Sequence, residues 1–314
     1  MLGLKRQRPG SRHARWLGYA LISLMLSALT ACGTSAPANT THSGPINAVT
    51  TMSVLADMIH NVGGERVRVR NIIPLGAGPE DYQPTPEAAR AVAEADIVFY
   101  NGFGLEEWLG DLFAGARRPG QPQVAVAEGL EPLDRGAAFA QGNPHFWMSA
   151  ALGARYAERI RDGLIGVDPA GRASYTANAE RYIGQLLALN AELKQQAAAL
   201  PPAARKLVTN HDAFPYFARE YGFTIVGNLL GNAEAEPSAS DLAALVGSIK
   251  AQRVKAVFGE AQFSPKLAEA LASEAQVRVV TNLYTDTLGE PGTPGASYVE
   301  MLRYDMRAIV KVLR

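Results

Sequence analysis

A chain of 314 residues, 47% hydrophobic and 19% charged, has room for two globular domains and is neither a disordered nor a fibrous composition. Its 30 basic and 30 acidic residues cancel, so the overall charge gives no reason to expect nucleic acid or a polybasic membrane surface as partner. One cysteine excludes an intramolecular disulfide.

The first predicted element is a leader. Lys5, Arg6, Arg8, Arg12 and Arg15 precede an apolar run from Trp16 to Ala31 that is too short for a spanning helix, which is the layout of a signal peptide over 1–31. Without it, 25 bases face 30 acids, so the mature chain carries about −5. Cys32 follows Leu29-Thr30-Ala31 directly, and a lone thiol there points to a dedicated use. Leu-Thr-Ala-Cys resembles a bacterial lipobox, which implies lipidation of Cys32 and an extracytoplasmic protein anchored to a membrane, in the periplasm or on the outer cell face. Residues 32–44 then read as a flexible tether.

From Ile46 onward, short β-rich runs alternate with helical patterns, predicting an α/β protein with largely parallel sheets. Strands are expected at 46–52, 66–73, 97–100 and 123–127. Between them, Ser53 is expected to cap a helix over 54–61, and Pro86 to open another. A second series places strands at 206–209, 224–227, 255–258 and 277–281, with helices at about 212–221, 238–251, 264–274 and 296–313. Between the two series, Asp168-Pro169 begins a helical pattern with Tyr175, Ala179, Tyr182, Ile183, Leu186 and Leu193 on one face. Pro201-Pro202 stops it. The expected organisation is two doubly wound parallel-sheet lobes, 45–166 and 201–314, joined by one long rigid helix over 167–200.

Chemistry is scarce outside a few positions. Of five histidines, His13 and His42 fall in the leader and tether, and His60 suits the C-terminal end of a helix. His145 sits in Gly142-Asn143-Pro144-His145-Phe146-Trp147, and His211 directly follows a strand, at the end of a parallel sheet where ligands bind. Carboxylates stand in comparable loops, Glu80 and Asp81 after one strand and Asp286 after another. Two imidazoles and two carboxylates suit a first-row divalent ion, and spacings of 65 to 75 residues require a folded cleft rather than a local loop.

Across the mature chain the motifs resemble the manganese- and zinc-binding lipoproteins that serve ABC importers. They are Gly76-Ala77-Gly78-Pro79 with Tyr82-Gln83-Pro84-Thr85-Pro86, Asn143-Pro144-His145-Phe146-Trp147, His211-Asp212-Ala213-Phe214 and Leu283-Tyr284-Thr285-Asp286-Thr287-Leu288. The resemblance implies that His145, His211 and Asp286 are metal ligands in an inter-lobe cleft. It departs at Gly78-Pro79-Glu80, where family members usually have Asp-Pro-His. Glu80 is the favoured fourth ligand, with Asp81 or water as alternatives.

The expected function is capture of one divalent transition metal as cargo, manganese or iron ahead of zinc, for delivery by a monomer to an ABC permease. A surface adhesin of the same fold is the alternative. A metal-dependent hydrolase using Asp212 or Glu260 as base ranks lower, since Asp212 can cap the helix after His211 and Glu260 can orient a ligand. No His-Glu-x-x-His or Gly-x-Ser-x-Gly pattern is present.

Overall fold

Strand runs such as Ile97–Tyr100 and Ala256–Glu260 are buried almost throughout, as expected of strands covered on both faces. The computed structural model describes Gly3 and residues 44–133, 140–230 and 237–314. Apart from Gly3, the expected leader, Cys32 and most of the expected tether lie outside the described residues.

The first sheet contains β1 (Ile46–Thr50), β2 (Val67–Asn71), β3 (Ile97–Tyr100) and β4 (Gln123–Ala125), all parallel, in the order β2-β1-β3-β4. Its helices are α1 (Ser53–Gly63), α2 (Pro86–Glu94) and α3 (Leu109–Ala116). Two longer helices follow, α4 (Ala150–Val167) and α5 (Arg172–Ala198). The second sheet repeats the topology with β5 (Lys206–Thr209), β6 (Thr224–Asn228), β7 (Ala256–Glu260) and β8 (Arg278–Leu283) in the order β6-β5-β7-β8, again parallel. It is accompanied by α6 (Pro215–Tyr221), α7 (Ala239–Ala251), α8 (Lys266–Ala275) and α9 (Tyr298–Leu313).

Burial shows how the two halves are joined. One apolar cluster runs without interruption from Ile46 and Phe99 through α1, α4 and α5 to Phe217, Phe258 and the inner face of α9. The outer faces carry separate clusters, Val49, Ile73, Val92 and Val98 on the first sheet and Val208, Ile249, Val257 and Leu271 on the second. Since the inner core belongs to both lobes, parting them widely would expose it to water, at about 25 cal/mol for each Å². Backbone and side chain also cross between lobes, from Leu288 N to Ser53 Oγ (2.8 Å), Tyr298 N to Asp57 Oδ2 (3.1 Å) and Gly76 N to Thr287 Oγ1 (3.0 Å).

Several local expectations change. The long helix begins at Arg172, after a 3₁₀ turn over Pro169–Gly171, and spans about 40 Å. Asp168 stands at the N-cap of that 3₁₀ turn, with its carboxylate held by Arg66 (2.6 Å) and the Tyr175 hydroxyl (2.8 Å). Ser53 caps nothing, its hydroxyl being engaged by Leu288 N from the other lobe, whereas Thr85 does cap α2 by accepting from Ala88 N. Asp212 is likewise no cap. The following helix starts only at Pro215, and the Asp212 carboxylate accepts from Asn143 and Asn228.

Helix α4 was not expected, because three glycines weaken its pattern. Two of them permit close approach: a Cβ at Gly153 would lie 2.4 Å from the Tyr298 hydroxyl, and one at Gly163 would lie 2.9 Å from the Phe99 ring.

Candidate metal centre

The elements converge on the C-terminal ends of both sheets. His211 comes two residues after β5 and Asp286 three after β8, so short connections leave both side chains little freedom. His145 precedes a 3₁₀ turn, Phe146–Met148, whose three residues are fully buried. Glu80 stands in the long loop between β2 and α2.

Four side chains meet, Asp286 with both of its carboxylate oxygens. His145 Nε2 lies 3.3 Å from His211 Nε2, 3.5 Å from Glu80 Oε1 and 3.6 Å from Asp286 Oδ1, and His211 Nε2 lies 3.1 Å from Asp286 Oδ2. Donors about 2.0–2.2 Å from a single ion are separated by edges of about 3.3–3.6 Å in a tetrahedral arrangement and about 2.8–3.1 Å in an octahedral one, so the spacing suits one ion and lies nearer the tetrahedral value. His145, His211 and Asp286 are almost inaccessible, while the Glu80 side chain keeps 15% exposure. Asp81 is exposed. His60 is exposed at the end of α1 and is absent from the cluster.

Neighbours fix each imidazole with Nε2 turned inward. His145 Nδ1 and its backbone N both lie 3.0 Å from Asn143 Oδ1. His211 Nδ1 lies 2.7 Å from Glu260 Oε2, and Glu260 Oε1 accepts the backbone N–H groups of Asn210 and His211. Such partners set the tautomer and raise the basicity of the inward nitrogen. Thr285 Oγ1 donates to Glu260 Oε2 (2.8 Å). Gln262 Nε2 donates to Asp286 Oδ2 (3.0 Å) and to Thr285 Oγ1 (2.5 Å).

Two indoles complete the frame. Trp147 Nε1 donates to the carbonyl of Thr285, the residue before Asp286 (2.8 Å), with its ring 5.0 Å from that of His145. Trp108 Nε1 donates to the carbonyl of Pro79, the residue before Glu80 (2.7 Å). Asn143, Gln262, Thr285 and the two tryptophans were not singled out from sequence as functional. Asn143 and Trp147, near His145 in its motif, and Thr285, beside Asp286 in its motif, carried a local signal; Gln262 and Trp108 carried none.

Charge in the cluster follows burial and partners. Burial drives the His145 imidazole down to about 3, leaving Nε2 unprotonated and able to donate its lone pair. Burial also lowers His211, but Glu260 and Asp286 together outweigh it and hold the imidazolium well above its ordinary range. Burial pushes Glu80 up to about 7, with Asp286, Glu260 and Asp81 adding to the rise against the pull of His211. For Asp286, His211, His145 and Gln262 outweigh burial, so its carboxylate is held below the usual range. In the metal-free state, then, a proton on His211 partly balances the carboxylates.

Twin parallel-sheet lobes, a shared inner core and a buried carboxylate–imidazole cluster at the strand ends are the architecture of a two-lobe solute-binding protein, and the family match makes it a receptor rather than an enzyme. The chain belongs to the family described as ZnuA, zinc-uptake complex component A periplasmic, whose sequence model matches residues 48–312. Its place is extracytoplasmic, and proteins of this class work with a metal ion and the permease of an ABC importer.

The manganese-binding lipoprotein MntA of Halalkalibacterium halodurans is 31% identical over 292 residues, covering 92% of this chain and 96% of that protein. The iron ABC transporter substrate-binding lipoprotein MtsA of Streptococcus pyogenes is 28% identical, covering 96% and 98%. Among solved structures, the periplasmic zinc-binding protein TroA of Treponema pallidum superposes with a TM-score of 0.79 at 29% identity, covering 86% of this chain and 99% of that one. A manganese-bound periplasmic metal-binding protein from Candidatus Liberibacter asiaticus gives 0.79 at 26% identity, covering 86% and 100%.

Proposed function

We propose that this protein captures one divalent transition metal ion through Glu80, His145, His211 and Asp286 and delivers it to a membrane permease. The observation that carries this reading is the meeting of the four side chains' donor atoms at 3.1–3.6 Å in a buried pocket. The exposure of Asp81 favours Glu80 as the first-lobe carboxylate.

Manganese or ferrous iron is the preferred cargo, because two carboxylates beside two imidazoles give a harder donor set than an all-nitrogen site. Zinc is the second reading. It outbinds manganese at most nitrogen and oxygen sites, and edges of 3.1–3.6 Å also suit a tetrahedral ion.

Residues 45–166 and 201–314 act as the two lobes, with 167–200 as connector. The shared apolar core and the crossing hydrogen bonds favour loop ordering and small lobe tilts over wide hinge opening. Cys32 carries the lipid anchor, and the protein works as a monomer.

Elemental analysis and competitive titration with manganese, ferrous iron and zinc, on protein lacking residues 1–32, test the capture reading. About one ion per chain is expected, and failure to bind any of the three would sink it. Intact-mass and membrane-fractionation measurements on the full-length protein and Cys32→Ser test the anchor, which is lost in the variant.

A further inference from the structure

We propose that Gln262 biases the choice of metal by determining how Asp286 presents its carboxylate. The inference rests on the capture reading above and concerns a residue outside the four donors.

The two oxygens of Asp286 have different surroundings. Oδ2 accepts a hydrogen bond from Gln262 Nε2 at 3.0 Å and lies 3.1 Å from His211 Nε2, whereas Oδ1 receives no hydrogen bond among the described residues and lies 3.6 Å from His145 Nε2. The orientation of the Gln262 amide is strongly set. Its nitrogen faces Thr285 Oγ1, Asp286 Oδ2 and Glu260 Oε2 at 2.5, 3.0 and 3.3 Å, while its oxygen is buried with no hydrogen-bond partner among the described residues. Reversing the amide would turn its oxygen toward two carboxylate oxygens, so the nitrogen stays on Asp286.

A hydrogen bond to Oδ2 withdraws electron density from that oxygen and fixes the carboxylate plane. Oδ1 is left as the stronger donor, which biases Asp286 toward binding through one oxygen although Oδ2 also faces His211. With one atom each from Glu80, His145, His211 and Asp286, the protein then supplies four donors, enough for zinc. Manganese favours a larger, oxygen-rich shell and gains from a second carboxylate oxygen. Gln262 thus holds the site toward lower coordination, and its removal favours manganese relative to zinc.

Gln262→Met keeps the side-chain length and removes the amide donor. Manganese and zinc affinities are measured by competitive titration on wild type and variant, beside the electron paramagnetic resonance spectrum of the manganese-loaded forms. The expected result is a rise of about tenfold in the manganese-to-zinc affinity ratio, at the low end of what partners of ligands contribute, with a changed zero-field splitting. General loosening of the loop would weaken both metals alike and leave the ratio unmoved. An unchanged ratio, with an unchanged manganese spectrum, overturns the role of Gln262 while the capture reading stands. A wild type that binds neither metal overturns both.

Discussion

The two lobes share a strand order, yet they hold their parts of the proposed metal centre in unlike ways. In the second lobe, His211 and Asp286 follow strands almost at once and are tied to Glu260, Thr285 and Gln262 by a buried polar network. In the first, His145 is equally buried, but Glu80 rides on a long loop, keeps part of its surface in water, and presents Oε1 without a hydrogen-bond partner among the described residues. One lobe offers a preset half-site and the other a more adaptable arm. Donors on short connections from strands cost little ordering on binding, whereas a loop carboxylate must be ordered when the ion arrives.

The largest expected effect probes the preset half. His211→Ala removes a donor and strands the Glu260 carboxylate, and metal affinity should fall on the order of 10³-fold. Isothermal titration measures it, and a loss below tenfold would contradict the asymmetry. Glu260→Gln leaves all four donors but weakens the acceptor that holds Nδ1 of His211, so affinity should fall about 10–100-fold without loss of fold. Circular dichroism beside the titration separates the two.

Glu80→Ala tests the adaptable arm. Water can replace its oxygen at a partly exposed position, so a loss of only about tenfold is expected for manganese. A loss matching that of His211→Ala would make the two halves equivalent, and no loss at all would remove Glu80 from the site.

The smallest expected effect concerns pH. Glu80 and His211 both hold protons more tightly in the folded metal-free protein than in the unfolded chain, Glu80 with a value of about 7 against 4.5. His145, driven from 6.5 down to about 3, holds its proton less tightly in the folded state and opposes Glu80 below about pH 6.5, so the fall in stability with rising pH emerges chiefly above that value. Glu80 acts between about 4.5 and 7, and His211 from its ordinary value near 6.5 upward. The metal-free Tm should drop by on the order of 5 °C from pH 6.5 to 8 in scanning calorimetry. Metal replaces these protons, so loading should release about one or more per ion near pH 7 and flatten the dependence.

What could be read from sequence divides along physical lines. Both strand series and the long amphipathic helix were legible because continuous apolar runs and helical periodicity are local patterns. His145, His211 and Asp286 were legible as candidates because each stands in a distinctive motif. The partners were not. Ser53 and Asp212 look like helix caps in sequence, yet their oxygens are engaged by residues far along the chain, Leu288 for one and Asn143 for the other. Gln262 shows nothing locally, since its role depends on β7 and β8 lying side by side. Helix α4 was hidden by glycines whose value lies in contacts with Tyr298 and Phe99.

The two indoles have an optical consequence. Of three tryptophans, Trp16 lies in the leader, and the other two each bond the carbonyl that precedes a carboxylate of the cluster. In protein lacking residues 1–32 all tryptophan emission would therefore originate beside the proposed metal centre, one fluorophore on the adaptable arm and one on the preset half. Single Trp108→Phe and Trp147→Phe variants would turn that intrinsic light into separate, label-free clocks for the arrival of the ion and the settling of the Glu80 loop.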